Sequence, residues 1–333
     1  MKITFLGTAA GKPAKYRNVT SLALELENSD YILIDCGEAT QHQIIKSNLK
    51  FGKLHSIYIT HLHGDHIFGL PGLLATLNEC RVNQLNIFGP IGLLNYINFI
   101  KNGPFCNINN YNINVIEISN LFNTINYVNY KSNKYKIDCC FVQHDIPCYS
   151  YIITKINYSP KIDFDRLKPI LDKYSNEIES MGFIPINKII KKLKACNSIQ
   201  ISDFKLDLTD FYLRDNDFKV IICLDNMNSD NLNKFIGSCD ILVHECTYAF
   251  TQEIQGDDLA LTQKAINHGH STNRMASLVA KNLNCSKLIL THFSNRYEIG
   301  DGKMNIEDFL VEDCKKIFNC EVFCAYDFSE FDL

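Results

Sequence analysis

Four of the six residues from His61 to His66 (HLHGDH) carry metal-binding groups, and their spacing limits which of them can share a cation. His61 and His63 are two apart, so in extended backbone they face the same side and can hold one cation. Asp65 and His66 follow the turn-forming Gly64 and can serve a second. Imidazoles with a neighbouring carboxylate suit zinc, with manganese or iron as alternatives. The β-branched, apolar stretch Ile57, Tyr58, Ile59 and Thr60 predicts a buried strand that delivers this set at its end.

The same arrangement recurs along the chain. YILID ends at Asp35, CCFVQHD brings His144, VIICLD ends at Asp225, ILVHEC carries His244 and Glu245, and LILTH ends at His292. Open α/β sheets collect their ligands at the carboxyl ends of strands, so these ends are expected to meet. Counting donors gives His61, His63 and His144 for one metal and Asp65, His66 and His292 for another, with Asp225 able to bridge them. Asp35, a carboxylate at the mouth of a buried strand, needs a partner and is expected to accept hydrogen bonds from the histidine loop. His270, in HGHST, is left over and is available for proton chemistry.

The elements around these positions follow from local pattern. Lys2–Leu6 is a strand, and Gly7, Gly11 and Pro13 mark a loop with Lys12, Lys15 and Arg17. Ser21–Glu27 alternates as a half-buried strand, Pro71 opens a helix, and Tyr135–Val142 is a strand. Between Thr154 and Ser202 this rhythm breaks. Pro160, Pro169 and Pro185 punctuate the stretch, and INKIIKKLKA puts Ile186, Ile189, Ile190 and Leu193 on one helical face against Lys188, Lys191, Lys192 and Lys194. An inserted segment with a basic amphipathic tip is expected there.

The chain has 333 residues, 46% of them hydrophobic and 21% charged, enough for one large domain with an insertion or for two small ones. A net charge of −4 argues against wholesale attraction to nucleic acid but leaves room for a local basic patch. There is no apolar run long enough to span a membrane and no signal-like amino terminus, so a soluble, cytoplasmic protein is expected. The 14 cysteines are scattered, without CxxC spacing, and read as reduced thiols of a reducing compartment.

Taken together, the pattern resembles the metallo-β-lactamase superfamily, and within it the short form of ribonuclease Z, the endonuclease that removes 3′ trailers from precursor tRNA. HLHGDH and Asp35 match the superfamily. The subfamily likeness rests on PAKYRN (Pro13, Lys15, Arg17, Asn18) against a PxKxRN loop, DCGEATQHQ, HGDHIFGLPGLL, HECT, HST and THFSNRY. ICLDN stands where GDT is usual.

The resemblance implies an αββα four-layer sandwich spanning residues 1–333 as one domain, with residues 152–200 as an inserted flexible arm. It also implies two zinc ions per subunit, a homodimer, and precursor tRNA as partner, with neither membrane nor DNA. Asp65 would handle the attacking water, and Glu245 would orient His270 as proton donor. Lys15, Arg17, Asn18, Ser294 and Arg296, with Lys188, Lys191 and Lys192 on the arm, would contact the RNA. The alternative is another hydrolase on the same fold, acting on small phosphodiesters or thioesters.

Overall fold

The computed structural model describes residues 1–26, 29–80, 82–104, 108–119, 122–125, 135–156, 162–183, 187–196, 198–202, 204–211, 217–250, 258–297 and 307–333. Its contacts divide into two compact units. One comprises Met1–Tyr127, Lys136–Thr154 and Lys219–Leu333; the other comprises Val128–Tyr135 and Lys155–Phe218.

The larger unit is built on two seven-stranded sheets. The first contains β1 (Lys2–Gly7), β2 (Ser21–Glu25), β3 (Tyr31–Ile34), β4 (Leu54–Tyr58), β5 (Gln84–Pro90), β6 (Asn112–Ile118) and the last strand, β16 (Glu330–Asp332), in the order β16-β1-β2-β3-β4-β5-β6. The second contains β7 (Phe122–Ile125), β8 (Tyr135–Val142), β9 (Cys148–Lys155), β12 (Phe218–Cys223), β13 (Ile241–Cys246), β14 (Lys287–Phe293) and β15 (Glu321–Cys324), in the order β15-β14-β13-β12-β9-β8-β7. Strands β3 to β6 run parallel, as do β12 to β15. Their carboxyl ends therefore collect at one edge of each sheet.

Alternation along β4 shows how the layers form. Ile57 faces outward and, with Ile59 just beyond the strand, joins Leu33 and Ile87 against Leu70, Leu73 and Leu77 of α3 (Leu70–Asn78) and Ile97 of α4 (Leu93–Asn102). Tyr58 faces inward, stacking on Phe88 with ring centres 4.7 Å apart and meeting Tyr151 of the second sheet edge-on at 5.3 Å. Tyr151 also donates its hydroxyl to Ile59 O, and the Tyr149 amide donates to Thr60 O, so the two sheets are joined beside the histidine loop. On the far side, Ile221, Leu242 and Leu288 pack with Leu232 of α8 (Asp230–Phe235), Ala276 and Ala280 of α10 (Asn273–Asn282), and Leu310 of α11 (Glu307–Ile317). The result is the expected αββα sandwich. Two short helices, α1 (Thr40–Lys46) and α2 (Gly64–Ile67), and α9 (Asp258–Asn267) carry the chain into and out of the strand-end loops.

The smaller unit holds α5 (Phe164–Lys173), α6 (Ser175–Ser180), α7 (Asn187–Cys196) and a hairpin of β10 (Ser198–Ile201) and β11 (Phe204–Asp207). It has an apolar core of its own, in which Leu167, Leu171 and Ile178 meet Ile189, Leu193, Ile201 and Leu206. Helix α7 is the amphipathic segment expected from INKIIKKLKA. Ile189 and Leu193 are fully buried, whereas Lys188, Lys191, Lys192 and Lys194 are exposed. Ile186, Pro160 and Pro185 lie outside the described residues. Pro169 sits within α5 instead of ending it. The carbonyl that its missing N–H leaves without a helical donor belongs to exposed Asp165, where water can serve.

Candidate metal centre

The strand ends meet. His61, His63, His144 and Asp225 place one donor atom each within 4.8 Å of one another, and so do Asp65, His66 and His292. In the first group His63 Nδ1 lies 3.1 Å from His61 Nε2 and 3.2 Å from His144 Nε2. In the second, Asp65 Oδ2 is 3.5 Å from the Nε2 atoms of both His66 and His292. Asp225 faces both groups. Its Oδ2 is 3.7 Å from His61 and 3.9 Å from His144, while its Oδ1 is 3.4 Å from His66 and 3.1 Å from His292. A third set, Asp225, His270 and His292, also converges, so the leftover histidine stands at the rim of the same cluster.

Four imidazoles are aimed by a partner on the opposite ring nitrogen, an arrangement that fixes tautomer and orientation. His61 Nδ1 contacts Thr60 Oγ1 at 3.0 Å, His66 Nδ1 contacts Asp35 Oδ2 at 2.6 Å, His144 Nδ1 contacts Gly269 O at 2.7 Å, and His292 Nδ1 contacts Thr247 Oγ1 at 2.9 Å. Asp35 also accepts the Thr60 amide and hydroxyl, so this carboxylate braces the histidine loop from beneath. Backbone packing supports the same loop: the Cys36 amide donates to His66 O and the Gly69 amide to Cys36 O. A Cβ at Gly69 would collide with the Gly37 carbonyl, which is why glycine is needed there. Asp35 and His292 both adopt left-handed backbone, with φ of 58° and 55°, strain of the kind that gathers at functional sites.

Among the described residues, His66 Nε2, His292 Nε2 and Asp225 Oδ1 are buried without a hydrogen-bond partner. Native structures rarely leave such atoms unsatisfied, and here three of them face one point. Divalent cations fit that point and that donor set. Electrostatics agree. Burial alone would raise the Asp65 and Asp225 carboxyls, but the imidazoles of His66 and His292 hold both well below the usual carboxylate range. Burial likewise pulls the His61 imidazole well below its ordinary value, leaving it neutral and ready to ligate.

His270 differs from these. Burial works against its charged form, yet the Glu245 carboxylate overrides this and pushes it up to about 9. His270 Nδ1 lies 3.3 Å from Glu245 Oε2 and 3.7 Å from Asp225 Oδ2. Glu245 is fully buried and is fixed in turn by the Asn226 amide at 2.6 Å and the Thr247 hydroxyl at 2.6 Å. Thr247 thus serves both Glu245 and His292, a role that sequence reasoning missed. The available signal was a hydroxyl two residues beyond Glu245, just past the end of β13.

Comparison with known proteins adds a lineage to this geometry. Residues 1–178 match the sequence model of the family described as Anti-Pycsar protein Apyc1, so the amino-terminal half, with its histidine loop, belongs to that family. A ribonuclease Z of Prochlorococcus marinus (strain MIT 9312) is 36% identical over 306 residues, 89% of either chain. A ribonuclease BN of Proteus mirabilis is 34% identical over the full length of both. The chain belongs to the ribonuclease Z family. The crystal structure of the short form of human tRNase Z superposes with a TM-score of 0.65 at 25% identity, over 100% of this chain and 99% of that one.

The residues that the ribonuclease Z likeness offers as substrate contacts separate into two kinds. Lys15 and Arg296 are exposed. Arg296 lies over the Tyr248 ring at 4.7 Å, and that ring is 6.4 Å from His270. Ser294 accepts a hydrogen bond from Arg296 Nε at 2.8 Å and so aims it. Asn18 spends its side-chain amide on Glu38 O. Arg17 corrects the expectation of contact with an RNA backbone, because it is only 2% exposed. It donates to Thr8 Oγ1 and Ala325 O and lies over the rings of Phe293 and Tyr326. A loop cation looks the same in sequence whether it faces water or is folded under.

Proposed function

We propose that this protein is the endoribonuclease that trims the 3′ ends of precursor tRNA, working as a two-zinc enzyme and a homodimer in the cytoplasm. Its membership of the ribonuclease Z family makes it a hydrolytic endoribonuclease. The observation that carries the tRNA assignment is that ribonuclease relatives match the chain along its whole length, including the Lys155–Phe218 unit. Among the described residues no helix is long and apolar enough to cross a membrane.

His61, His63, His144 and Asp225 would hold one cation, and Asp65, His66, His292 and Asp225 the other. When bound, the pair supplies charge that acidifies water and screens phosphoryl oxygens. Asp65 orients the attacking water, whose proton passes to solvent. The oxygen of that water joins phosphorus, the bond from phosphorus to the 3′ oxygen of the tRNA breaks, and His270 hands that oxygen its proton. Glu245 keeps His270 charged and turned so that Nδ1 faces inward and the other ring nitrogen faces the substrate. The tRNA leaves with a 3′ hydroxyl and the trailer with a 5′ phosphate. Lys15 and Arg296 bind phosphates by position, and the lysines of α7 grip tRNA remote from the cut.

The test is incubation with a precursor tRNA carrying a 3′ trailer, with mapping of both new ends, beside a small chromogenic phosphodiester. Cleavage next to the tRNA 3′ end with a 5′-phosphorylated trailer is expected. Hydrolysis of the small ester alone would assign the protein to a different substrate class.

A further inference from the structure

The loop from Gly7 to Asn18 reaches the metal centre through a backbone amide. The Gly11 amide donates to Asp65 Oδ2 at 2.7 Å, from a backbone with φ of 71° and open space around it. On either side of Gly11 the Ala10 amide donates to Phe293 O at 2.9 Å and Lys12 O accepts Asn295 Nδ2 at 3.0 Å, and the ends of the loop are tied to the last residues of the chain. Asp327 Oδ1 accepts the Thr8 hydroxyl at 2.7 Å, while Oδ2 accepts the Asn18 amide at 2.6 Å and Gln43 Nε2 at 3.0 Å. Arg17 ties the same loop to Ala325 O at 2.8 Å. Thr8 and Asn18 flank the loop, so one carboxylate clasps both its ends.

We propose that Asp327 is a positioning residue for Asp65, acting through the clasped loop and the Gly11 amide to orient the carboxylate of the second metal set. The inference rests on the metal-dependent function proposed above. An oxygen that accepts a fixed N–H leaves its partner oxygen and remaining lone pairs in a defined direction, and such outer contacts tune ligand geometry. The negative charge of the clasp does not add stability at neutral pH. Burial outweighs the help of the Asn18 amide, Thr8 and Arg17, the charged group facing it, and pushes the Asp327 carboxyl up to about 6. A folded-state value above the ordinary 3.8 means that ionisation at neutral pH favours the unfolded chain. Asp327→Asn is therefore expected to fold at least as well as the native protein at pH 7 to 8.

The experiment compares native protein, Asp327→Asn and Gly11→Ala by chelator competition with elemental analysis, by thermal unfolding, and by kcat and KM on precursor tRNA. Native protein must hold two metals and cleave; if it does not, the function proposed above fails, and this inference with it. Both variants are expected to release one metal of two at roughly tenfold lower chelator concentration and to lose kcat with KM nearly unchanged, with the melting temperature of Asp327→Asn undiminished. Combining them should add little, because they act on one amide. Native-like metal retention in Asp327→Asn, or a lowered melting temperature with metals intact, would overturn the proposal and leave Asp327 as part of the loop's packing alone.

Discussion

The strand ends of the sandwich and helix α7 of the smaller unit both concentrate side chains able to bind ions, by opposite means. Donors in the first come from positions as distant as His61 and His292; they are mostly buried and are aimed by partners such as Asp35, Thr60 and Thr247. The second sets Lys188, Lys191, Lys192 and Lys194 within two turns of one helix, all exposed, opposite buried Ile189 and Leu193. Convergence makes each donor irreplaceable. A periodic exposed face makes its members interchangeable, so substitutions should be abrupt in one region and graded in the other.

The largest effects are expected at the strand ends. His63→Ala and His292→Ala should each lose metal from a different set and slow cleavage about 10³-fold, since several kcal/mol of charge stabilisation go with each cation. Elemental analysis decides, and full metal content in both variants would break the assignment. His270→Ala should keep its metals and slow cleavage by about 10²- to 10⁴-fold. Because His270 also belongs to a converging donor set, metal content is the discriminating measurement. A substrate with a good leaving group should recover most of the rate. Glu245→Gln is the appropriate companion: Glu245→Ala would strand the buried Asn226 amide and the Thr247 hydroxyl that also aims His292.

What was legible in the sequence followed the range over which each pattern is written. An apolar run ending in His or Asp is a local signal, so the seven converging donors could be gathered by counting strand ends. Asp35 could be placed beneath the histidine loop because a buried carboxylate requires donors. Arg17 was not legible, since its partners Thr8, Ala325 and Tyr326 are supplied by folding and lie up to hundreds of positions away. Thr247 was overlooked because a hydroxyl carries no chemistry until its neighbours are known. The limit of the smaller unit was hidden for a related reason. Ile199, Ile201, Leu206 and Leu208 alternate as in any strand, and only packing against Leu167, Ile189 and Leu193 assigns them to that unit.

The smallest single effects are expected on α7. Replacing Lys188, Lys191, Lys192 and Lys194 by serine one at a time should weaken precursor tRNA binding by a few-fold each. Wherever the native lysine neutralises a phosphate, its replacement should also reduce the salt dependence of binding by about one unit of slope. Hydrolysis of a small phosphodiester should be unchanged throughout, because the metal donors all belong to the other unit. The quadruple variant extends the series. Removal of the whole segment must respect the unit's own core: excising residues 160–195 would leave Ile199, Ile201 and Leu206 without the helices that cover them, so the cut belongs between residues 156 and 217. A short flexible bridge there should abolish cleavage of precursor tRNA and spare the small ester. If the serine variants leave the salt slope untouched, the lysines are a solvated face that keeps α7 amphipathic, and tRNA is held elsewhere. If the small ester is lost with the tRNA, the two regions are not separable, and the contrast between abrupt and graded sites fails with them.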